Sequence, residues 1–412
     1  MRSFKDFYLL EADDEQVKEK LKHLEHIEDL IINNGYAGAQ RAVEFLKRVI
    51  AHMDQPDPNL IINNKIDGAP SVVFGPIPAG EDNAGEFFVG TKSALSPKGK
   101  RYTKTESNRL MAENGPGLAE KLIACLKFLP ELKPREIYQG DLLFTPDSIE
   151  EKTIDGVQYL TFKPNVITYA VPVNDPTARE VRRAKLGVVV HTSYKGDTFA
   201  DMYATYTPNL EALAKTPNVW MKSNRLQQDA FSKDNSQHIQ RELDLAANKL
   251  HVLNRSAMDS ISTNPKLQEM IKLHLNSLIR QGKTISNPQI HVDELQAFIH
   301  HRLEASRAKF TTNKKQLEIT GQQEQYKQAI DTMKGEYAKI FDFYVAIANV
   351  KLMFLKTLSS GVIGSYYEDQ GKYRSTTGEG LVISDSKTND VIKIVDRLDF
   401  SRINFNQPKD WK

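Results

Sequence analysis

The chain has 412 residues, 40% hydrophobic and 8% aromatic, enough for two or three domains with substantial cores. A formal charge of +2 with 26% charged residues excludes a uniformly basic nucleic-acid coat, so any polyanion contact must come from local patches. Cys125 is the only cysteine, which excludes an internal disulfide or a thiolate zinc cluster and fits a reducing cytoplasm.

From Glu15 to about Asn33, Val17, Leu21, Leu24, Ile27 and Ile31 recur at helical spacing, predicting an amphipathic helix that stops at Gly35. A second helix is expected in "AQRAVEFLKRVIAHM", ending before Pro56 and Pro58. From about Leu60 to Thr192 the pattern changes to short β-rich runs: "NLIIN", "SVVFG", "EFFVGTK", "REIYQGDLLF", "VQYLTF", "NVITYAV" and "LGVVVHT". Turn residues separate most of them, which predicts a mostly antiparallel sheet. One helix, near Gly117 to Phe128, interrupts the series and takes Cys125 onto its apolar face.

From about Thr207 to Leu358 the spacing is helical again, with helices predicted at 237–254, 264–281, 291–309 and 316–358; the last grows apolar toward its end, so that end should be buried. After Gly361 strands return in "GLVIS" and "DVIKIV". These elements predict an α+β chain in which a β domain is interrupted by an inserted all-α domain. Its expected divisions are a leader at 1–12, N-terminal helices at 13–56, the first part of the β core at 57–206, the helical domain at 207–358 and the second part of the core at 359–412. No run approaches the ~18 apolar residues of a membrane span, and the N-terminus lacks the apolar core of a secretory signal. A soluble protein with no membrane partner is expected.

The chemistry concentrates in "KIDG" at 65–68, "FFVGTKS" at 87–93, "IYQGDLLF" at 137–144, and the pair "GEGLVIS" then "VIKIV" between 378 and 395. The tetrapeptide alone is a weakly specific pattern. Its order with the other three, in β context, resembles the covalent nucleotidyltransferase superfamily of polynucleotide ligases and capping enzymes, over residues 60–195 and 361–397. The RNA ligases of tailed phages are the closest branch, because "TKS" is similar to their Lys-Thr-Lys-Gly-Ser element. The resemblance implies a mostly antiparallel β nucleotidyltransferase core (an ATP-grasp-like ligase fold) with ATP and Mg²⁺ or Mn²⁺ as cofactors and RNA, more than DNA, as partner.

In that family's terms Lys65 is the nucleophile that forms a lysyl-AMP phosphoramidate. A lysine can attack phosphorus only as a neutral amine, and its reference pKa is ~10.4, so cationic neighbours and desolvation must favour the deprotonated form. Asp67 would accept hydrogen bonds that fix the loop or the nucleotide, and Gly68 would let the backbone approach the ligand. Lys92 matches a nucleotide contact, and Asp141 of "QGDLL" stands where a carboxylate meets the ribose or the metal. Glu379 matches the metal-associated glutamate, and Lys393 the first lysine of a Lys-x-Lys pair on the α-phosphate, where its charge would stabilise the transition state. Tyr169 in "NVITYAVPV" matches the aromatic that stacks on adenine. Two departures stand out: Ala69, Pro70 and Ser71 follow Gly68 where ligases carry an arginine, and Val395 replaces the second lysine. Too few residues follow Val395 for the oligonucleotide-binding barrel of DNA ligases and capping enzymes.

"TKSALSPKGKRYTK" carries Lys98, Lys100, Arg101 and Lys104, with Tyr102 among them, and is expected either to hold a nucleic-acid backbone with the ring stacked on a base or to be a solvated loop. A second basic run holds Arg302, Arg307, Lys309, Lys314 and Lys315 against Glu304, and reads as a solvated helix face or an RNA surface. The histidines show no metal motif: His300 and His301 are adjacent and point about 100° apart on a helix, and His191 ends a strand in a structural role. "MRSFKDFYLLEA" resembles the capsid-targeting peptides of T-even-like phage internal proteins, cut after a Leu-x-Glu site, here Leu9 to Glu11. That resemblance implies packaging in a phage head besides the host cytoplasm; an ordinary frayed terminus is the other reading. Three functions stay open: an RNA ligase-like enzyme, a nucleotidyltransferase acting on a protein or other acceptor, and a non-catalytic virion or nucleic-acid-binding protein with the same fold.

Overall fold

The computed structural model describes residues 24–402 apart from 67, 97, 222–224, 227, 234, 359–362, 370, 377–378 and 389. Residues 1–23, with the expected leader and the positions Val17 and Leu21, lie outside that set. The architecture is mixed α+β, with three mostly antiparallel sheets among the described residues.

Helix α1 (Asp29–Asp54) turns its apolar stripe, including Leu30, Ala39, Leu46 and Ile50, into the core. Gly35 breaks its helical geometry at φ 58°, a conformation that costs a glycine little, so the expected stop is a kink inside one rod. The helix predicted from Glu15 to about Asn33 is found from Asp29 onward and is corrected over residues 24–28, which are not helical. Before Asp29 the chain runs beside a strand: His26 bridges Lys393 in parallel, and the Lys393 N–H donates to the Glu25 carbonyl at 3.0 Å. The backbone groups that a helix would have used internally go to that sheet edge instead.

The first sheet has three strands in the order β1 (Leu60–Asn64), β14 (Leu381–Asp385), β15 (Asp390–Ile394), all antiparallel. The second contains β2 (Ser71–Pro76), β3 (Phe87–Gly90), β4 (Tyr102–Thr103), β5 (Ile137–Phe144), β9 (Leu186–Lys195) and β10 (Tyr203–Thr205) in the order β10-β9-β5-β2-β3-β4, with β11 (Val219–Trp220) parallel to β9. The third is β13-β12-β8-β7-β6, built from β6 (Ile149–Ile154), β7 (Val157–Phe162), β8 (Thr168–Pro172), β12 (Gly364–Asp369) and β13 (Lys372–Thr376). Short helices α2 (Ser107–Glu113) and α3 (Pro116–Phe128) cover the second sheet, and α4 (Pro176–Arg183) follows β8. Cys125 is buried in that cover, as its helix face predicts.

The helical segment comprises α5 (Ser236–Leu250), α6 (Arg255–Ser262), α7 (Pro265–Arg280), α8 (Pro288–Arg307), α9 (Asn313–Thr332) and α10 (Lys334–Leu355). Asn254, Asn264 and Asn287 cap α6, α7 and α8 by accepting from backbone N–H groups, and Pro265 and Pro288 open the helices that follow. The single helix expected over 316–358 is two, separated at Met333, whose backbone leaves the helical region. One apolar core joins this segment to α1 and to one face of the first sheet: Leu60, Ile62, Leu381, Ile383, Ile392 and Ile394 pack with Leu243, Ile347 and Phe354. No helix of the described residues is long and apolar enough to cross a membrane.

Candidate active site

Strand pleat places the candidate residues. Ile62 pairs with Ile383 and Ile383 with Ile392, and these face the helices. The alternate set therefore faces the other way: Asn63 pairs with Val382, Val382 with Lys393, and Lys65 follows two residues after Asn63 on the same face. The Lys65 N–H donates to the Gly380 carbonyl at 2.8 Å and so extends the ladder one step. Gly380 stands opposite Lys65 at φ 120°, and a Cβ there would lie 2.1 Å from the Ile394 carbonyl oxygen, so the turn into β14 requires glycine.

That turn brings Glu379 against Lys65, and the ammonium donates to the carboxylate Oε2. Glu379 is 1% exposed, and its other oxygen, Oε1, is buried with no partner among the described residues. The Phe400 ring closes over the lysine, its centroid 5.5 Å from Nζ. Lys393 completes the group. Burial pushes its amine down to about 8; Asp29 opposes the shift, and Lys65 and Arg397 add to it. Burial and then the cations Lys393, Arg397, Lys351 and Lys65 hold the His26 imidazole well below its ordinary range, and its Nδ1 has no partner. The sequence reasoning placed Lys65, Glu379 and Lys393 in one pocket, and the structure brings these three together.

The loop after Lys65 crosses from the first sheet to the second. Asp67 lies outside the described residues. Gly68 rests on β5: a Cβ there would lie 2.6 Å from both the Asp141 Cβ and the Leu142 carbonyl oxygen. The Ala69 N–H donates to the same carbonyl at 2.9 Å, and Ser71 pairs with Asp141. Three residues span at most ~11 Å, so Asp141 flanks the lysine's end of the loop. Across the sheet, Val73 pairs with Gly90, which sets half-buried Lys92 near the start of β2, at the same sheet end as Asp141.

His191 was missed as a site residue. It lies inside β9, not at its end, where the β5–β9 register shifts between Gln139 and Gly140, and its Nε2 is 3.7 Å from Asp141 Oδ2. An irregularity of this kind re-aims a side chain. Arg397 was missed too. Its guanidinium donates to Asp29 at 3.1 Å, to the Tyr344 hydroxyl at 3.0 Å and to Asn276 at 2.6 Å, tying the segment after β15 to α1, α7 and α10. Beneath it the buried Lys351 ammonium donates to Glu28 Oε1 at 2.5 Å. Val395, where the second lysine was expected, is buried with Tyr169, Val189, Trp220 and Phe400, an apolar setting in which an ammonium would be left without partners.

Other expected site residues stand apart. Tyr169 is 3% exposed and packs its ring 5.7 Å from that of Phe162, so the face assigned to adenine is covered. In the basic loop, Tyr102 is 2% exposed, with its hydroxyl bound to Glu113 and Asn114, and has no face to offer a base. Arg101 donates to the Ala94 and Ser96 carbonyls and lies 3.8 Å over the Phe199 ring, which makes it an internal brace. Lys100 pairs with Glu113 at 3.2 Å; Lys98 and Lys104 are exposed. In the second basic run Arg307 pairs with Glu304 and Lys315 with Glu318, while Arg302, Lys309 and Lys314 are exposed.

The paired lysine and buried glutamate, with the second, desolvated lysine near them, are carried by a chain that belongs to a family of unknown function (DUF6267), whose model matches residues 21–409. No curated protein and no solved structure matches the chain.

Proposed function

We propose that the chain is an ATP-dependent RNA ligase-like nucleotidyltransferase with Lys65 as its nucleophile. The observation that carries this reading is the pairing of Lys65 with a buried glutamate whose second oxygen has no partner among the described residues, near a lysine whose amine burial lowers to about 8. A buried carboxylate oxygen without a partner fits a divalent cation, and Glu379, with Asp141 across the loop, offers hard oxygen ligands suited to Mg²⁺ or Mn²⁺. When bound, the ion would offset charge on the nucleotide phosphates.

The chain's own residues then have separate tasks. Glu379 holds the Lys65 ammonium and would, on binding a divalent ion through the same carboxylate, release the amine, whose proton passes to water before the attack. The Lys65 nitrogen attacks the α-phosphorus of ATP, an N–P bond forms, the bond to the bridging oxygen breaks, and pyrophosphate leaves. Lys393 gives its charge to the α-phosphate, whose arrival favours the protonated amine. AMP passes from Lys65 to a 5′-phosphate, and a 3′-hydroxyl displaces it to join the ends. Exposed Lys98 and Lys104 supply backbone contacts to the nucleic acid.

Incubation with α-labelled ATP and Mg²⁺ or Mn²⁺, followed by a denaturing gel, tests the first step. Label is expected on the wild type and absent from a folded Lys65→Ala variant; an unlabelled wild type would sink the reading. It would favour a non-catalytic binding protein, the alternative that draws on Val395. Joining of 5′-phosphorylated RNA compared with DNA tests the acceptor, and label transferred instead to a protein would mark the other transferase. The same reading places the protein in the host cytoplasm or a phage head; mass spectrometry of the mature N-terminus from virions should find Ala12 first if the leader is cut.

A further inference from the structure

Helices α7 and α8 bring together two histidines that sequence spacing did not connect. The His274 and His291 rings stack with centroids 4.9 Å apart at 25°. Phe298 lies 5.0 Å from His274, and Phe341 of α10 meets His291 edge-on at 4.4 Å. All four ring nitrogens are buried and without a hydrogen-bond partner among the described residues. Such a pair is unusual, because a desolvated nitrogen that neither donates nor accepts carries an uncompensated penalty. Glu294, one helical turn after His291 and exposed, brings its Oε2 to 4.0 Å from His291 Nδ1. One ligand atom from each of the three residues can be chosen so that all lie within 4.8 Å of one another.

We propose that His274, His291 and Glu294 form a binding site for a zinc-class divalent cation that clamps α7 to α8. Two imidazoles and a carboxylate suit zinc, cobalt, nickel or copper and not magnesium or calcium, which prefer all-oxygen shells. Bonds of ~2.0 Å in a tetrahedron separate ligand atoms by about 3.3 Å, so from within 4.8 Å the three groups must close by up to about 1.5 Å, a movement that the exposed Glu294 side chain can supply in part. Water takes the fourth position on the solvent side of Glu294. Burial pushes His274 down to about 4 and His291, with help from His274, to about 3, so both rings are in the neutral form that ligates metal. The site is independent of Lys65 and stands whether or not the chain transfers nucleotides.

The test uses the full chain, stripped with a chelator and titrated with Co²⁺ and then Zn²⁺. One equivalent of cobalt should bind, give the strong visible absorption of a four-coordinate site, and be displaced by zinc; zinc should raise Tm by several degrees. His274→Phe should abolish the cobalt spectrum. If that variant fails to fold, Glu294→Gln, altered at an exposed position, carries the test and should weaken binding by about tenfold or more. Glu379→Gln should bind zinc as the wild type does. A folded wild type that binds neither ion, binding unchanged in both variants, or binding removed by changing exposed His300 and His301 would overturn the proposal.

Discussion

Replacing Lys351 by Met tests the polar foundation beneath Lys393. Lys351 is 2% exposed and Glu28 1%; the ammonium donates to Glu28 Oε1 at 2.5 Å, and Oε2 has no partner among the described residues. Removing one member of a buried pair leaves the other charge uncompensated and costs about 3–5 kcal/mol. Arg397 stands 3.9 Å from the same oxygen and already binds Asp29, so it shields Glu28 in part, which places Lys351→Met near the lower end, at about 3 kcal/mol. The double variant Glu28→Gln with Lys351→Met removes both charges and should return to within about 1 kcal/mol of the wild type. Urea denaturation followed by far-UV circular dichroism measures both. If the single change costs less than about 1 kcal/mol, or the double variant is no more stable than the single, the pair does not act as described.

Lys393→Met should stabilise the protein while abolishing AMP transfer: the folded amine, at about 8, is below its ~10.4 unfolded value, so charged Lys393 opposes folding below pH 8 by roughly 3 kcal/mol. Denaturation and labelling of the same sample check both halves. Gly68→Ala should cost about 1–3 kcal/mol and lower labelling, because its Cβ meets the Asp141 Cβ and the Leu142 carbonyl; wild-type values for both would refute the contact. Metal-free protein should lose stability on acidification. Burial holds His26, His274 and His291 below their unfolded ~6.5, so the unfolded state takes up protons first, and stability falls from about pH 6.5 through the values of about 4 for His274 and 3 for His291. Burial alone would raise Glu28, but Lys351 and Arg397 outweigh it; its stabilising contribution persists above the unfolded ~4.3 and is lost as pH falls through the lowered folded value. A flat Tm between pH 7 and pH 4 would contradict this.

Strands were legible where apolar alternation is bounded by turn residues, as in "SVVFG" and "LGVVVHT", and helices where the apolar stripe is regular. Three of the five strands of the third sheet were missed: β6 reads "IEEKTI", β12 "GSYYED" and β13 "KYRST", each with too few apolar residues to show the alternation of a strand. Lys65 and Glu379, 314 positions apart, were linked through the order of short motifs, and strand pairing explains their meeting. His191 depended on a local register shift, Arg397 on contacts with three helices, and His274 with His291 on how α7 crosses α8. None of these leaves a periodic trace in one dimension.

The shared core beneath the first sheet bears on any attempt to divide the protein. Excising residues 236–355 would strip the cover from Leu381, Ile383, Ile392 and Ile394, the rear of the strands whose front carries Lys393 and continues into Lys65. A shortened protein without the helices would expose a greasy sheet prone to aggregation, and the lysine and glutamate would lose their common mounting. In this chain the helices serve as the anvil on which the lysine and glutamate are set, and the smallest unit able to hold their geometry includes them.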